Sequence, residues 1–501
     1  YTAMDWYDAA DPRPDYYRNL PSYYWMDNKD YGRLNFEKAA WAKDAWINDI
    51  PEYTHLNWDR LYNVNWNNYD ADGLRRSKYA VEERRVDQND INLNASVKWM
   101  ASKAFTLTGG VNYKWNRTEY YKKMDDLLGG DYYLNIDQFA ERDFASSPTM
   151  VQNDLDYFLE FGEAKSLKEG DKYGYDYYAH VRNANLWANG ALDLGGFKAN
   201  LALEAGYAKF WREGLVRKGL FAGLDENGNE MMYEGKVLTT YDAKTGKAIT
   251  SKGNSEIADF LTYSAKIGLQ YHFEGGHRIY ANGAYFNDAP TFAQSFISPR
   301  TRNSMVPNLT TVKTASADIN YQYSNNGYNF RITGFWTNIA DQTDMMSFYD
   351  DSQNSFVNFA MSGIDQRHIG LEMGFKIPLP VQGLSLAGAL SWGEYIYTST
   401  PRMTMTVDNS AELIYDNQPV PYWASSPVYR KTVMDGETVY ETDLGGEPVV
   451  ERYQKHYVPS TPQLAADLGL NYRTNSYWFF ELHAQYFAKS YLDMNPLYRT
   501  D

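Results

Sequence analysis

Two pairs of adjacent acids, Asp125-Asp126 and Asp350-Asp351, are the first residues in this chain whose chemistry could be catalytic. Cleaving a glycosidic bond needs two carboxylates held roughly 5–10 Å apart across a sugar. Neighbours on one stretch of loop do not supply that geometry, and no nucleophile, base and oxyanion donors accompany them. No enzymatic activity is expected. The run Asp225-Glu226-Asn227-Gly228-Asn229-Glu230 is rich in oxygen ligands, but it lacks the sixth-position glycine and closing glutamate of an EF-hand. A turn through Asn227-Gly228 accounts for it, and calcium binding by the loops stays open. His55, His180, His272, His277, His368, His456 and His483 show no HxxxH or HExxH spacing. Cysteine is absent, which removes thiolate catalysis, disulfides and zinc clusters. No metal site and no cofactor is expected.

Binding chemistry is better represented. Tyr132, Tyr133, Tyr177, Tyr178, Tyr422 and Trp423, with Tyr173 and Tyr175 nearby, could offer flat faces to a sugar, a peptide or a macrocycle. Loop packing, with each tyrosine hydroxyl bonded at its tip, explains the same residues without a ligand. Arg300 and Arg302 could hold an anionic ligand; pairing with the surrounding carboxylates is the simpler role. A formal net charge of −16 argues against a nucleic-acid partner, because such binding rests on neutralising phosphates with Lys and Arg.

The elements that would position these residues are strands. Six times, two stretches of alternating apolar and polar residues meet at a short turn. The clearest pair sets Ala184-Leu186-Ala188-Gly190-Leu192 against Phe197-Ala199-Leu201-Leu203-Ala205-Tyr207, across Leu194-Gly195-Gly196. The other pairs lie at 91–97 with 105–113, 261–273 with 278–286, 315–323 with 328–336, 369–377 with 384–392, and 464–472 with 478–486. The second strand of the 261–286 pair has an ambiguous face, since Ile279, Tyr280, Tyr285 and Phe286 do not alternate cleanly. Asn326-Gly327 is the strongest short hairpin signal. A further strand is expected near 55–68, giving 12–13 in all. Long segments at about 3–54, 119–179, 212–258, 287–311, 338–365 and 397–460 separate the pairs.

Period-2 alternation with short turns on one side and long loops on the other predicts a transmembrane antiparallel β-barrel. Strands of 10 to 13 residues suit a bilayer crossed by ~9–11 residues at a 45° tilt. Tyr207, Phe273, Tyr323, Tyr328, Trp392, Tyr472 and Trp478 fall at strand ends, where an aromatic girdle belongs. His272, His368 and His483 fall on the lumen-facing register. Aromatic residues make up 16% of the chain, with 45 Tyr and 14 Trp, the types that sit at membrane interfaces. No apolar run reaches the ~18 residues of a spanning helix. A soluble propeller would repeat a motif every ~40–50 residues, and none is found. The short turns are expected in the periplasm and the long loops outside the cell.

Three stretches carry a family resemblance: Asp5-Trp6-Tyr7-Asp8-Ala9-Ala10-Asp11-Pro12-Arg13-Pro14-Asp15-Tyr16-Tyr17-Arg18-Asn19-Leu20-Pro21-Ser22-Tyr23, Ile297-Ser298-Pro299-Arg300-Thr301-Arg302-Asn303, and Asp341–Asp351. They resemble loops of TonB-dependent outer-membrane receptors of the Bacteroidota type, and the order of strands around them is similar. The resemblance implies that residues 1–501 are part of one 22-stranded β-barrel domain in the outer membrane of a Gram-negative cell. Its plug domain, TonB-binding segment and C-terminal strands match nothing here, so the chain reads as a piece of a longer protein. The implied function is capture of a nutrient at the cell surface and its import with energy delivered by TonB. The alternative is a non-transporting barrel serving as a scaffold in an outer-membrane complex. Implied partners are outer-membrane lipid, TonB, a surface-exposed lipoprotein, and an imported small molecule, glycan or peptide.

Overall fold

The computed structural model describes residues 1–25, 35–242, 245–350, 355–407, 413–419, 429–434, 437–441, 451–452 and 457–491. Twelve long strands form one continuous antiparallel sheet, each hydrogen-bonded to its sequence neighbour. They are β2 (Tyr79–Met100), β3 (Phe105–Asp126), β4 (Lys172–Asp193), β5 (Phe197–Gly214), β6 (Ala258–His272) and β7 (His277–Asp288). The series continues with β8 (Val312–Asn325), β9 (Tyr328–Asp350), β10 (Ser355–Pro378), β11 (Leu384–Tyr397), β12 (Leu464–Arg473) and β13 (Phe479–Ala488). A short β1 (Thr2–Trp6) covers the start of β2. No described helix is long and apolar enough to cross a membrane.

All six expected hairpins are present. Between β8 and β9, Asn326 and Gly327 have φ of 48° and 84°. Two consecutive left-handed residues make the turn whose twist matches that of the strands it joins.

Register decides which face each residue takes. Phe105, Leu192, Ala199, Leu269, Ala281, Ile319, Gly334, Leu371, Trp392, Leu464 and Ala488 stand opposite one another in succession from β3 to β13. Every member of this row is apolar or glycine. The adjacent row, on the opposite face, runs Thr106, Ala191, Asn200, Gly268, Asn282 and Asp318. Leu186, Leu261, Ile319 and Leu482 on the apolar face are all more than 60% exposed, so the apolar surface points outward with no protein over it. On the opposite face a Cβ at Gly268 would lie 2.2 Å from Asn200 Oδ1, so glycine there lets the amide lie flat on the sheet. The ambiguous β7 is resolved in the same way. Ile279 pairs with Tyr271 and Tyr321 on the apolar face, whereas Tyr280 joins Gln270 and Asn320 on the polar one. His272, His368 and His483 lie on that polar face and contact Gln270, Gln366 and Asp467 respectively.

Two expectations change. The segment near 55–68 is a helix, α1 (Trp58–Trp66), capped by Asn57, whose side chain accepts from Arg60 N at 2.9 Å. Leu61 and Asn65, one helical turn apart, are its buried residues, so the apparent alternation there is a helical face sampled sparsely. The strands are also longer than a bilayer requires. β2, β3 and β4 have 22 residues each, and β9 and β10 run through most of the segment 338–365 expected as loop. At ~3.3 Å per residue, 22 residues reach about 70 Å. Beyond the apolar band both faces meet water or loop, so alternation fades while the cross-strand hydrogen bonds continue.

Candidate functional site

The extended ends of β2, β3 and β4 rise above the apolar band on the long-loop side and build a wall. Asn65 of α1 ties that wall together. Its Nδ2 donates to the carbonyls of Tyr79, Leu127 and Leu128 at 2.8, 3.0 and 3.1 Å, and its Oδ1 accepts from Lys78 N and Tyr79 N at 2.8 and 3.1 Å. One buried amide thus satisfies the start of β2 and the chain leaving β3, which would otherwise bury unpaired backbone groups.

On the inner face, β1 is held by a charge cluster. Lys122 lies 2.8 Å from Asp5 and also contacts Glu82, while Arg84 Nε donates to Glu82 Oε1 at 2.5 Å. The Tyr173 hydroxyl sits 2.8 Å from Asp5 Oδ2 and 2.9 Å from Glu82 Oε2. Two acids and two bases cancel, as a cluster requires when its Glu82 side chain is fully buried. Burial by itself pushes Asp5 upward; the adjacent Lys122 ammonium outweighs it and holds the carboxyl below the ordinary aspartate range. Burial and the same two carboxylates push the Tyr173 hydroxyl far up, so it stays a neutral donor.

Below β1 opens a cleft of about 1530 Å³, bounded by the N-terminal segment, the inner faces of β2, β3 and β4, and the loop around residues 293–301. Tyr120, Tyr133, Tyr175, Tyr177, Arg84 and Arg300 are among its lining residues. The rings of Tyr120 and Tyr177 stack at 5.1 Å. The Arg212 guanidinium lies 4.9 Å from the Tyr177 ring, and that of Arg300 lies 5.2 Å from Tyr175. Arg212 is 2% exposed and bonds the carbonyls of Pro299 and Ser251 at 2.6 and 2.8 Å, so it fixes the loop that carries Arg300. Burial lowers its pKa to about 10, which leaves it charged at neutral pH. Arg300 is exposed, and among the described residues it pairs with no carboxylate.

The sequence-predicted residues divide by face. Tyr133, Tyr177 and Arg300 come together in the cleft. Tyr178, adjacent to Tyr177, points through the opposite face of β4 beneath Arg117, at 4.7 Å. Tyr132 is buried, and its hydroxyl donates to Asp70 at 2.8 Å, a packing role. Arg302 is buried too, 4.9 Å from the Phe221 ring and bonded to Thr406 Oγ1 at 2.7 Å, so it anchors a loop and does not face the cleft. Tyr422, Trp423 and Asp351 lie outside the described residues. Asp225 Oδ1 accepts from the amides of Asn227 and Asn229 at 2.8 and 2.7 Å, so its carboxylate closes the expected turn. Sequence reasoning missed Tyr120, Lys122 and Arg212. Extending the alternation of β3 and β5 past the apolar band would have placed all three inward; nothing in the sequence joins Asp5 to them.

No family model matches the chain, and no curated protein matches it. Similar solved structures include the copper transporter OprC, at 11% identity and a TM-score of 0.45, with 79% of this chain and 42% of that one covered. The FrpB iron transporter from Neisseria meningitidis (F3-3 variant) is 13% identical with a TM-score of 0.41, covering 82% of this chain and 47% of that one. The ferric citrate transporter FecA in its unliganded form is 11% identical with a TM-score of 0.42, covering 83% and 44%. The chain spans less than half the length of each of these three. By its own geometry it is a wall of long antiparallel strands, apolar outside and polar inside, with an aromatic and basic cleft at the long-loop end.

Proposed function

We propose that this chain forms part of the wall of an outer-membrane β-barrel receptor that captures a nutrient at the cell surface and imports it with energy from TonB. The observation that supports this most is the apolar row running in register across eleven strands, with a polar row one residue away. An uncovered apolar face of that extent is stable in hydrocarbon and a liability in water. The polar face then lines the barrel interior, and the cleft of Tyr120, Tyr133, Tyr175, Tyr177 and Arg300 opens on the extracellular side as the place of capture. Flat rings beside the exposed Arg300 guanidinium, which contacts no carboxylate among the described residues, suit a ligand that carries both a planar or sugar-like face and negative charge.

The full-length protein is expected to migrate faster on a detergent gel before boiling than after it. Equal mobility would count against the barrel. Uptake of the captured nutrient should also cease in cells without TonB; unchanged uptake would leave only a passive or scaffolding barrel.

A further inference from the structure

Just above the apolar band, the outer face of β3, β4 and β5 carries positive charge that the rest of that rim neutralises. Tyr113, Ala184, Tyr207 and Leu261 form the last apolar row. The next outward row is Trp115, Arg182 and Lys209, and above it stand Arg117, His180 and Trp211. The Arg182 guanidinium lies 4.6 Å from the Trp115 ring and 5.3 Å from that of Trp211, and its Nη1 donates only to the carbonyls of Asn116 and Val181. Arg117 rests against Tyr178 and, among the described residues, makes no hydrogen bond or ion pair; its shielded Nε has no partner.

The nearby acids bond other groups, and none touches either arginine: Glu119 pairs with Lys172, Glu213 lies 2.7 Å from His180 Nε2, and Asp259 accepts from Tyr207. Further round the same rim, outward cations do have carboxylate partners: Lys313 with Asp341 at 2.7 Å and Arg367 with Glu394 at 3.4 Å. Two arginines pressed on aromatic rings at the height of an aromatic girdle are therefore pre-positioned and, among the described residues, have no carboxylate in contact.

We propose that Arg117 and Arg182, with Lys209 beside them, bind the phosphate of an outer-leaflet lipid headgroup against the outside of the barrel. The inference rests on the outer-membrane reading. Guanidinium forks match phosphate oxygens, and Trp115 and Trp211 mark the depth at which headgroups lie. The acyl chains would run down the apolar face over Leu186 and Leu203.

The test uses full-length protein in detergent and measures binding of phosphorylated lipid A, the same lipid dephosphorylated, and inorganic phosphate. The Arg117→Gln/Arg182→Gln double variant is expected to bind phosphorylated lipid A about tenfold more weakly, and the dephosphorylated lipid unchanged. Lys114→Gln, at the same height on the inner face, should match the unaltered protein. Equal binding of phosphorylated lipid by the double variant would overturn the proposal. So would inorganic phosphate binding as tightly as the lipid, which would assign the site to a free anion. Heat-modifiable migration of both proteins separates these outcomes: if neither protein shifts, the barrel itself fails, and the lipid site fails with it.

Discussion

Asp5 and Lys122 show how a charge can be both buried and favourable. Asp5 has its pKa depressed in the folded protein, so its contribution is present above the unfolded value and is lost as pH falls through the folded one. β1 should stay docked from neutral pH down to the ordinary aspartate range near ~4 and detach in stronger acid. Pulsed hydrogen exchange at the amides of residues 3–6 would report this; protection unchanged at strongly acid pH would refute it. Lys122→Met should undock β1 already at neutral pH, because Asp5 loses its ammonium partner while Arg84 stays paired with Glu82. Loss of about 3 kcal/mol of protection in β1 is expected. The two predicted arginines should separate in the same spirit. Arg300→Ala is expected to weaken nutrient capture about tenfold by removing one charge-assisted contact, with the fold intact. Arg302→Ala should cost about 2 kcal/mol of stability, since its bond to Thr406 is buried. Equilibrium binding and denaturation of both variants distinguish the roles.

Period-2 register is what makes a strand of this protein a boundary. Leu203 and Asn189 lie at similar depth on neighbouring strands, but Leu203 faces outward opposite Ala188 and Asn189 faces inward opposite Ala202. Leu203→Arg should cost about 2–4 kcal/mol in folding into vesicles, while Asn189→Arg should be tolerated. Similar losses for both would mean that the two faces see the same environment. The β8–β9 turn is a second control point. Gly327 sits at φ 84°, where a side chain costs about 1–2 kcal/mol, so Gly327→Val should lower the yield of refolded protein. The hairpins were readable because one apolar face and a short turn both leave marks in local sequence. α1 was misread because nine residues of helix present only Leu61 and Asn65 to the core, too few to establish a 3.6-residue period.

For the whole molecule, antiparallel order puts all six short turns at one end and the long segments at the other, where the walls rise past the apolar band. The cleft and the proposed lipid-phosphate site occupy opposite faces of β3 and β4, at nearly the same height. Tyr177 and Tyr178 record that division in two consecutive residues. Substitutions in the two places should not interact, because the sheet between them separates inside from outside. Binding energies for Arg300→Ala combined with the Arg117→Gln/Arg182→Gln pair are expected to add within about 0.5 kcal/mol.

The sequence alone determined the six hairpins, the common side of the long connections and, in every paired strand but β7, the outward and inward faces within the apolar band. Those features follow from local alternation and turn chemistry, which each hairpin carries within itself. Only the tertiary structure decided which loop residues meet. Asp5 reaches Tyr173 across 168 positions, and Arg212 reaches Pro299 across 87. Contacts of that range arise from how the walls and loops pack, and above the bilayer no contrast between lipid and lumen writes them into a repeating pattern. The cleft, the clamp on β1 and the ring-packed arginines outside it therefore became visible only when the strands stood side by side.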